Sequence, residues 1–250
     1  MTSTQIPNIF SAAPTIEYQW IDTDAALAKL CEQLSQQSAI ALDTEFVRTR
    51  TYYPHIGLLQ IADAHGVYLI DPLAITKTQP MADVLTNPNV VKVVHACSED
   101  LEVFRHAFGV FPESLFDTQV AAGFAGFGSS IGYANLMREM KQIDIPKQET
   151  RSDWLQRPLS DAQLRYAALD VEYLLEIHRE LSATLQAQQR AEWVQSDCQR
   201  MIDKLRNTDH EDIYYQRIKT AWKLEADQLT VLANICRWRE VEAKQQDVPR

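Results

Sequence analysis

Ser38-Ala-Ile-Ala-Leu-Asp43-Thr-Glu45-Phe46 is a short apolar run that ends in two acids one residue apart. It is too short for a helix of its own and reads as a buried strand. In extended backbone, side chains two positions apart point to one face, so Asp43 and Glu45 can reach the same point. Asp-x-Glu is common by chance, and its meaning depends on what the rest of the chain brings to it. Downstream, Leu58-Leu-Gln-Ile-Ala62 and Val67-Tyr-Leu-Ile70 read as two further strands, joined by the tight turn Asp63-Ala-His-Gly66. The three segments form a β-meander.

Beyond the meander the pattern alternates. Asn87-Pro-Asn89 punctuates the chain before another buried strand, Val90–Val94. A helix follows from Ser98, with Leu101, Phe104 and Phe108 on one face and an end near Gly109. A short strand at Leu115-Phe116 leads into a helix from Asp117. Gly123–Gly132 reads as a loop and Tyr133–Met140 as helix, while residues 141–158, with Pro146 and Pro158, read as irregular. Ser160-x-x-Gln163 is a capping box before the longest expected helix, Asp161 to Gln186. Upstream, Asp22 or Thr23 caps a helix through Ala25, Leu27, Leu30 and Leu34, and the stretch through Pro14 reads as loosely structured. Strands alternating with helices describe an α/β domain with a mixed sheet. After about residue 188 the chain reads as wholly helical.

Composition narrows the function. No run approaches the about 18 apolar residues that cross a bilayer, and the first ten residues lack the basic and apolar segments of a secretory signal. Cys31, Cys97, Cys198 and Cys236 are scattered, with no Cys-x-x-Cys pair, which argues against a zinc site or disulfide framework and for a reducing, cytoplasmic setting. The net charge is −10, which disfavours a simple basic-patch nucleic-acid binder. It is uneven: residues 200–250 hold ten Lys/Arg against nine Asp/Glu, leaving a balance of −11 for residues 1–199. An acidic protein can still act on phosphates if divalent cations neutralise its carboxylates.

Two further acids are placed to complete such a site. Asp100 lies where the strand Val90–Val94 hands over to a helix, in His95-Ala-Cys-Ser-Glu-Asp100-Leu101. Tyr166-Ala-Ala-Leu-Asp170 puts a phenol and a carboxylate four residues apart on one helical face. Taken singly, each has an ordinary structural explanation: a dipole complement for Asp100, a core tyrosine for Tyr166, a pair with Arg165 or a lysine for Asp170. Together, Asp43, Glu45, Asp100 and Asp170 make an oxygen-rich cage suited to Mg²⁺ or Mn²⁺. Two such ions about 3.5–4 Å apart can stabilise both the attacking and leaving oxygens of a phosphoryl displacement.

These stretches resemble the three motifs of the DEDDy 3′→5′ exonucleases. Leu42-Asp43-Thr-Glu45-Phe46 is similar to the first, His95-x4-Asp100-Leu101 to the second, and Tyr166-x3-Asp170 to the third. Within that group, Phe46-Val-Arg48-Thr-Arg50-Thr-Tyr52-Tyr53-Pro54 and Leu69-Ile-Asp71-Pro72 resemble the ribonuclease D family. The similarity runs from about residue 38 to 185. It implies a ribonuclease H-like fold, a five-stranded mixed sheet flanked by helices. It implies two divalent ions held by Asp43, Glu45, Asp100 and Asp170, with Asp43 bridging them and Tyr166 positioning the water. The implied reaction is hydrolysis of RNA from a free 3′ end, releasing nucleoside 5′-monophosphates, with tRNA precursors as the usual substrates. Arg48, Arg50, Tyr52 and Tyr53 would line the RNA path, or Tyr52 and Tyr53 would pack beneath a loop.

Ala221-Trp-Lys-Leu through Arg237-Trp-Arg-Glu240 resembles the opening of an HRDC domain, with Leu229, Leu232 and Ile235 as an apolar stripe. Arg250 arrives before a complete HRDC bundle, so either the sequence is cut short or the remnant packs against the nuclease part. The expected organisation is an exonuclease domain at 15–188, a helical connector at 189–210 and a partial HRDC-like region at 211–250, in a monomer. Two rivals stand beside it: a DNA-preferring exonuclease, and a non-catalytic RNA-binding protein on a nuclease fold.

Overall fold

A computed structural model describes residues 16–145, 152–207 and 211–250 of the chain. The expectations for the stretch through Pro14, for the domain start at residue 15 and for Pro146 lie outside these residues.

The sheet has six strands: β1 (Tyr18–Ile21), β2 (Ala39–Val47), β3 (His55–Ala62), β4 (Val67–Ile70), β5 (Val91–Val94) and β6 (Leu115–Asp117), in the order β1-β4-β3-β2-β5-β6. β2, β3 and β4 are the antiparallel meander, while β1 on β4, β5 on β2 and β6 on β5 are parallel. The mixed α/β architecture is as expected, but the sheet carries one strand more than five. β1 escaped the sequence reading because Tyr18, Gln19 and Trp20 are exposed and only Ile21 is buried. Its identity comes from backbone pairing along the sheet edge, which leaves little hydropathic trace.

Helices cover both faces. They are α1 (Asp24–Leu34), α2 (Gln79–Thr86), α3 (Asp100–Phe108), α4 (Thr118–Ala125), α5 (Tyr133–Lys141), α6 (Asp161–Glu172), α7 (Leu174–Ala187), α8 (Ala191–Asn207) and α9 (Ala226–Gln246). Short 3₁₀ segments at Glu211–Arg217 and Ala221–Lys223 join α8 to α9. Local chemistry sets several boundaries. Thr23 caps α1 by accepting from the amide of Ala26, Gly109 ends α3 in the left-handed conformation, and Asp63 closes the β3–β4 turn by accepting from the amides of His65 and Gly66. α2 was not anticipated, and α4 runs into the stretch expected to be loop.

β2 alternates between two cores. Ile40 and Leu42 point to one, shared with α1–α4 and α7. Ala41 points to the other, where Leu58, Ala62, Val67 and Leu69 meet Ala167, Ala168 and Val171 of α6. The helix expected over 161–186 is broken at Tyr173, whose φ −101 and ψ −4 depart from helical values. α6 lies across β2, β3 and β4, whereas α7 packs against α4, β2 and β5. Two surfaces require two directions, and the apolar period alone does not reveal the bend.

Trp154, 2% exposed, closes the α6 side of the sheet over Gly57. A Cβ at Gly57 would stand 2.4 Å from the Trp154 carbonyl oxygen. Backbone gives way poorly, so Gly57→Ala is expected to destabilise the protein by about 1–3 kcal/mol. Chemical denaturation would detect this, and wild-type stability would show that the Trp154 segment yields freely.

Candidate active site

Asp43 and Glu45 project from β2 toward α6, as their spacing predicts, just before the strand irregularity between Glu45 and Phe46. α6 opens with both halves of the Ser160/Gln163 capping box in place. It lies close on the sheet because Ala167 and Ala168, both fully buried, are small. One turn on, Asp170 meets the strand acids. Oxygens of Asp43, Glu45 and Asp170 lie within 4.8 Å of one another.

Asp100 stands beside this group rather than within it. It begins α3, directly after β5, the parallel neighbour of β2. Its carboxylate accepts a hydrogen bond from the Thr44 hydroxyl. It remains close enough for its charge to oppose ionisation of Asp43 and Glu45.

Burial pushes all four acids up, and the charges of the other cluster members add to it at Asp43 and Glu45. Asp43 is raised well above the carboxylate range by burial and by the charges of Asp100, Asp170 and Glu45. Burial and the charges of Asp170 and Asp100 push Glu45 up to about 9. Burial lifts Asp170 to about 7, although a hydrogen bond with the Tyr166 side chain opposes the rise. Burial takes Asp100 to about 6 against the hydrogen bond from Thr44. The ion pair imagined for Asp170 is not formed with Arg165, which is exposed. Crowded, partly buried and all-oxygen, these side chains fit a hard divalent cation.

Tyr166 lies one turn before Asp170, backed by the Trp154 ring 6.2 Å away. Burial and the neighbouring charges of Asp170, Glu45 and Asp43 raise its pKa, so the phenol stays protonated. Two neighbours were missed by sequence reading. Tyr133 donates to the Leu169 carbonyl at 3.2 Å, and the charges of Asp170 and Asp43 help to keep its buried hydroxyl protonated. Gln60 lies directly across the strand pair from Asp43. Its signal was legible as one amide within the apolar run Leu58-Leu-Gln-Ile-Ala62.

The residues expected along the RNA path diverge. Arg48 is ion-paired with Glu102 and with Glu99 on the α3 side. Arg50 is exposed. Tyr53 stacks on His106 with ring centroids 4.5 Å apart, and the Tyr52 hydroxyl donates to Glu240 of α9 at 3.2 Å. Asp247, just past α9, accepts from the amides of Tyr52 and Tyr53, each at 2.9 Å, and contacts His55 at 2.8 Å. The C-terminal helices thus dock on the segment following β2. Arg48, Tyr52 and Tyr53 line a cavity of about 480 Å³ there, together with Arg105, Arg217 and Lys244.

Comparison with known proteins agrees with this geometry. A sequence profile for 3′-5′ exonucleases matches residues 18–186. Ribonuclease D of Pseudomonas paraeruginosa is 46% identical over 243 residues, covering 97% of this chain and 64% of its own length. The crystal structure of Escherichia coli RNase D, an exoribonuclease involved in structured RNA processing, superposes with a TM-score of 0.89 at 42% identity, covering 93% of this chain and 62% of that one. The catalytic core of RRP6 from Trypanosoma brucei superposes with a TM-score of 0.72 at 25% identity, over 94% and 66% of the two chains. The chain therefore spans less than two thirds of the length of the ribonuclease D proteins it resembles here. No helix among the described residues is long and apolar enough to cross a membrane. Its profile match, its fold and its clustered acids together establish that the chain belongs to the 3′-5′ exonuclease family.

Proposed function

We propose that the chain is a cytoplasmic, monomeric 3′→5′ exoribonuclease that removes nucleotides one at a time from the 3′ ends of tRNA precursors and other structured RNAs. The observation that carries the reading is the convergence of Asp43, Glu45 and Asp170 within 4.8 Å, with Tyr166 one turn before Asp170 on the same helix. The likeness to ribonuclease D supports RNA as the substrate. Residues 15–188 form the exonuclease domain, 189–210 the connector and 211–250 an HRDC-like region whose docking holds the segment after β2.

Asp43, Glu45, Asp170 and Asp100 would hold two divalent ions, Mg²⁺ or Mn²⁺. When bound, the ions supply charge neutralisation at the reacting phosphate and lower the pKa of an attacking water. Tyr166, held protonated, orients that water rather than deprotonating it. The water loses a proton to solvent as its oxygen bonds to phosphorus and the bond to the preceding nucleotide's 3′ oxygen breaks; that oxygen takes a proton from solvent, which leaves a new 3′ hydroxyl and releases a nucleoside 5′-monophosphate. Arg50, which is exposed, and Arg48 would contact the strand upstream through phosphate pairing, whereas Tyr52 and Tyr53 pack against the C-terminal helix and His106.

A 3′-extended tRNA precursor labelled at its 5′ end tests this directly. With Mn²⁺, a ladder shortening from the 3′ end and 5′-monophosphate products are expected; with chelator, neither. Equal or faster digestion of a matched DNA strand would overturn the RNA assignment, and no digestion of either would overturn the enzyme. Tyr166→Phe keeps the carboxylates and loses the orienting hydroxyl. Its kcat is expected to fall about 10²-fold, the scale of losing one group that positions a reactant. A wild-type kcat would remove Tyr166 from the mechanism.

A further inference from the structure

We infer that Gln60 is a positioning residue for the cation site, its unpartnered carboxamide placed to turn onto the Asp43 carboxylate and fix its orientation when cations bind; the inference rests on the exonuclease reading above. Gln60 is 0% exposed at the centre of β3. Neither its amide nitrogen nor its amide oxygen has a hydrogen-bond partner, and these are two of only four such buried side-chain atoms among the described residues. Buried polar groups are nearly always paired, because desolvating an amide without a partner is unfavourable.

The surroundings deepen the contrast. Along β3, Leu58 and Ala62 flank Gln60 on the same face, and Leu69 pairs with it from β4. Ala167, Ala168 and Val171 of α6 cover that face. A leucine or methionine would suit this floor by volume and polarity. The polar exception is on the other side: Gln60 pairs directly with Asp43. Directly opposed residues hold their Cβ atoms about 4.5–5.5 Å apart on one face, within reach of a glutamine side chain. The amide N–H can then donate to one oxygen of the Asp43 carboxylate and leave the remaining lone pairs toward the cations. Partners that orient a metal ligand in this way typically alter affinity by about 10–100-fold.

Gln60→Met tests the role, since methionine keeps the unbranched length and removes the amide; Gln60→Leu is the second variant. Two quantities are measured: the melting temperature in chelator, and the Kd for Mn²⁺ by calorimetry without RNA. The expected result is a melting temperature equal to or above wild type, with the Mn²⁺ Kd raised about tenfold or more. Wild-type Mn²⁺ affinity in both variants would overturn the inference. So would a melting temperature lowered in both, which would make the amide a structural group. Failure of the wild-type protein to bind Mn²⁺ would sink the cation site itself, a result distinct from either.

Discussion

Asp43→Asn or Asp170→Asn is expected to lower RNA hydrolysis at least about 10³-fold, equivalent to about 4 kcal/mol of barrier, while leaving the fold intact. Each asparagine keeps the shape of the aspartate and removes a charge that the cations require. The fold should tolerate the change because, among the described residues, no arginine or lysine forms an ion pair with either acid. Asp43 is instead opposed by burial and by Asp100, Asp170 and Glu45. Removing one charge relieves that repulsion, so both variants should melt in chelator at or above the wild-type temperature. Activity and stability are thus expected to move apart. Circular dichroism melts beside a 5′-labelled RNA assay would show it. Substantial activity in either variant would exclude the cage, and unfolding would assign the acids to structure.

Stability should also depend on pH in a direction unusual for carboxylates. A carboxyl whose pKa is higher in the folded protein than in the unfolded chain binds more protons when folded. Its contribution is therefore fully present below the unfolded value and is lost as pH rises through the folded one. Glu45 at about 9, Asp170 at about 7 and Asp100 at about 6 are all raised, with burial the first cause in each. Metal-free protein should accordingly lose stability as pH climbs from about 5 to about 9, by on the order of 2–4 kcal/mol, or about 5–10 °C in melting temperature. Millimolar Mn²⁺ at pH 8 should restore most of it by mass action, because only the folded chain assembles the site. A melting temperature that is flat across this range in chelator, or unmoved by Mn²⁺, would contradict a partly buried cluster of acids that binds cations.

Much of the fold and site was legible in local pattern. The β-meander and its Asp63–Gly66 turn follow from short apolar runs and turn chemistry. The two-residue spacing of Asp43 and Glu45 and the four-residue spacing of Tyr166 and Asp170 follow from strand and helix periods. Ser160 and Gln163 state where α6 begins. These features are legible because each is set by a few consecutive residues, and periodicity survives in the linear chain.

What local pattern does not encode was decided by packing. β1 exists because its backbone pairs with β4, not because its side chains are apolar. The break at Tyr173 exists because α6 and α7 rest on different surfaces. Tyr52 and Tyr53 are held by Asp247 from almost two hundred residues away, and Gln60 matters only because strand register sets it beside Asp43. By itself the sequence determined which side chains share a face of one strand or one helix. Only the tertiary structure decided which faces meet, because distances between remote segments depend on burial and register summed over the whole sheet.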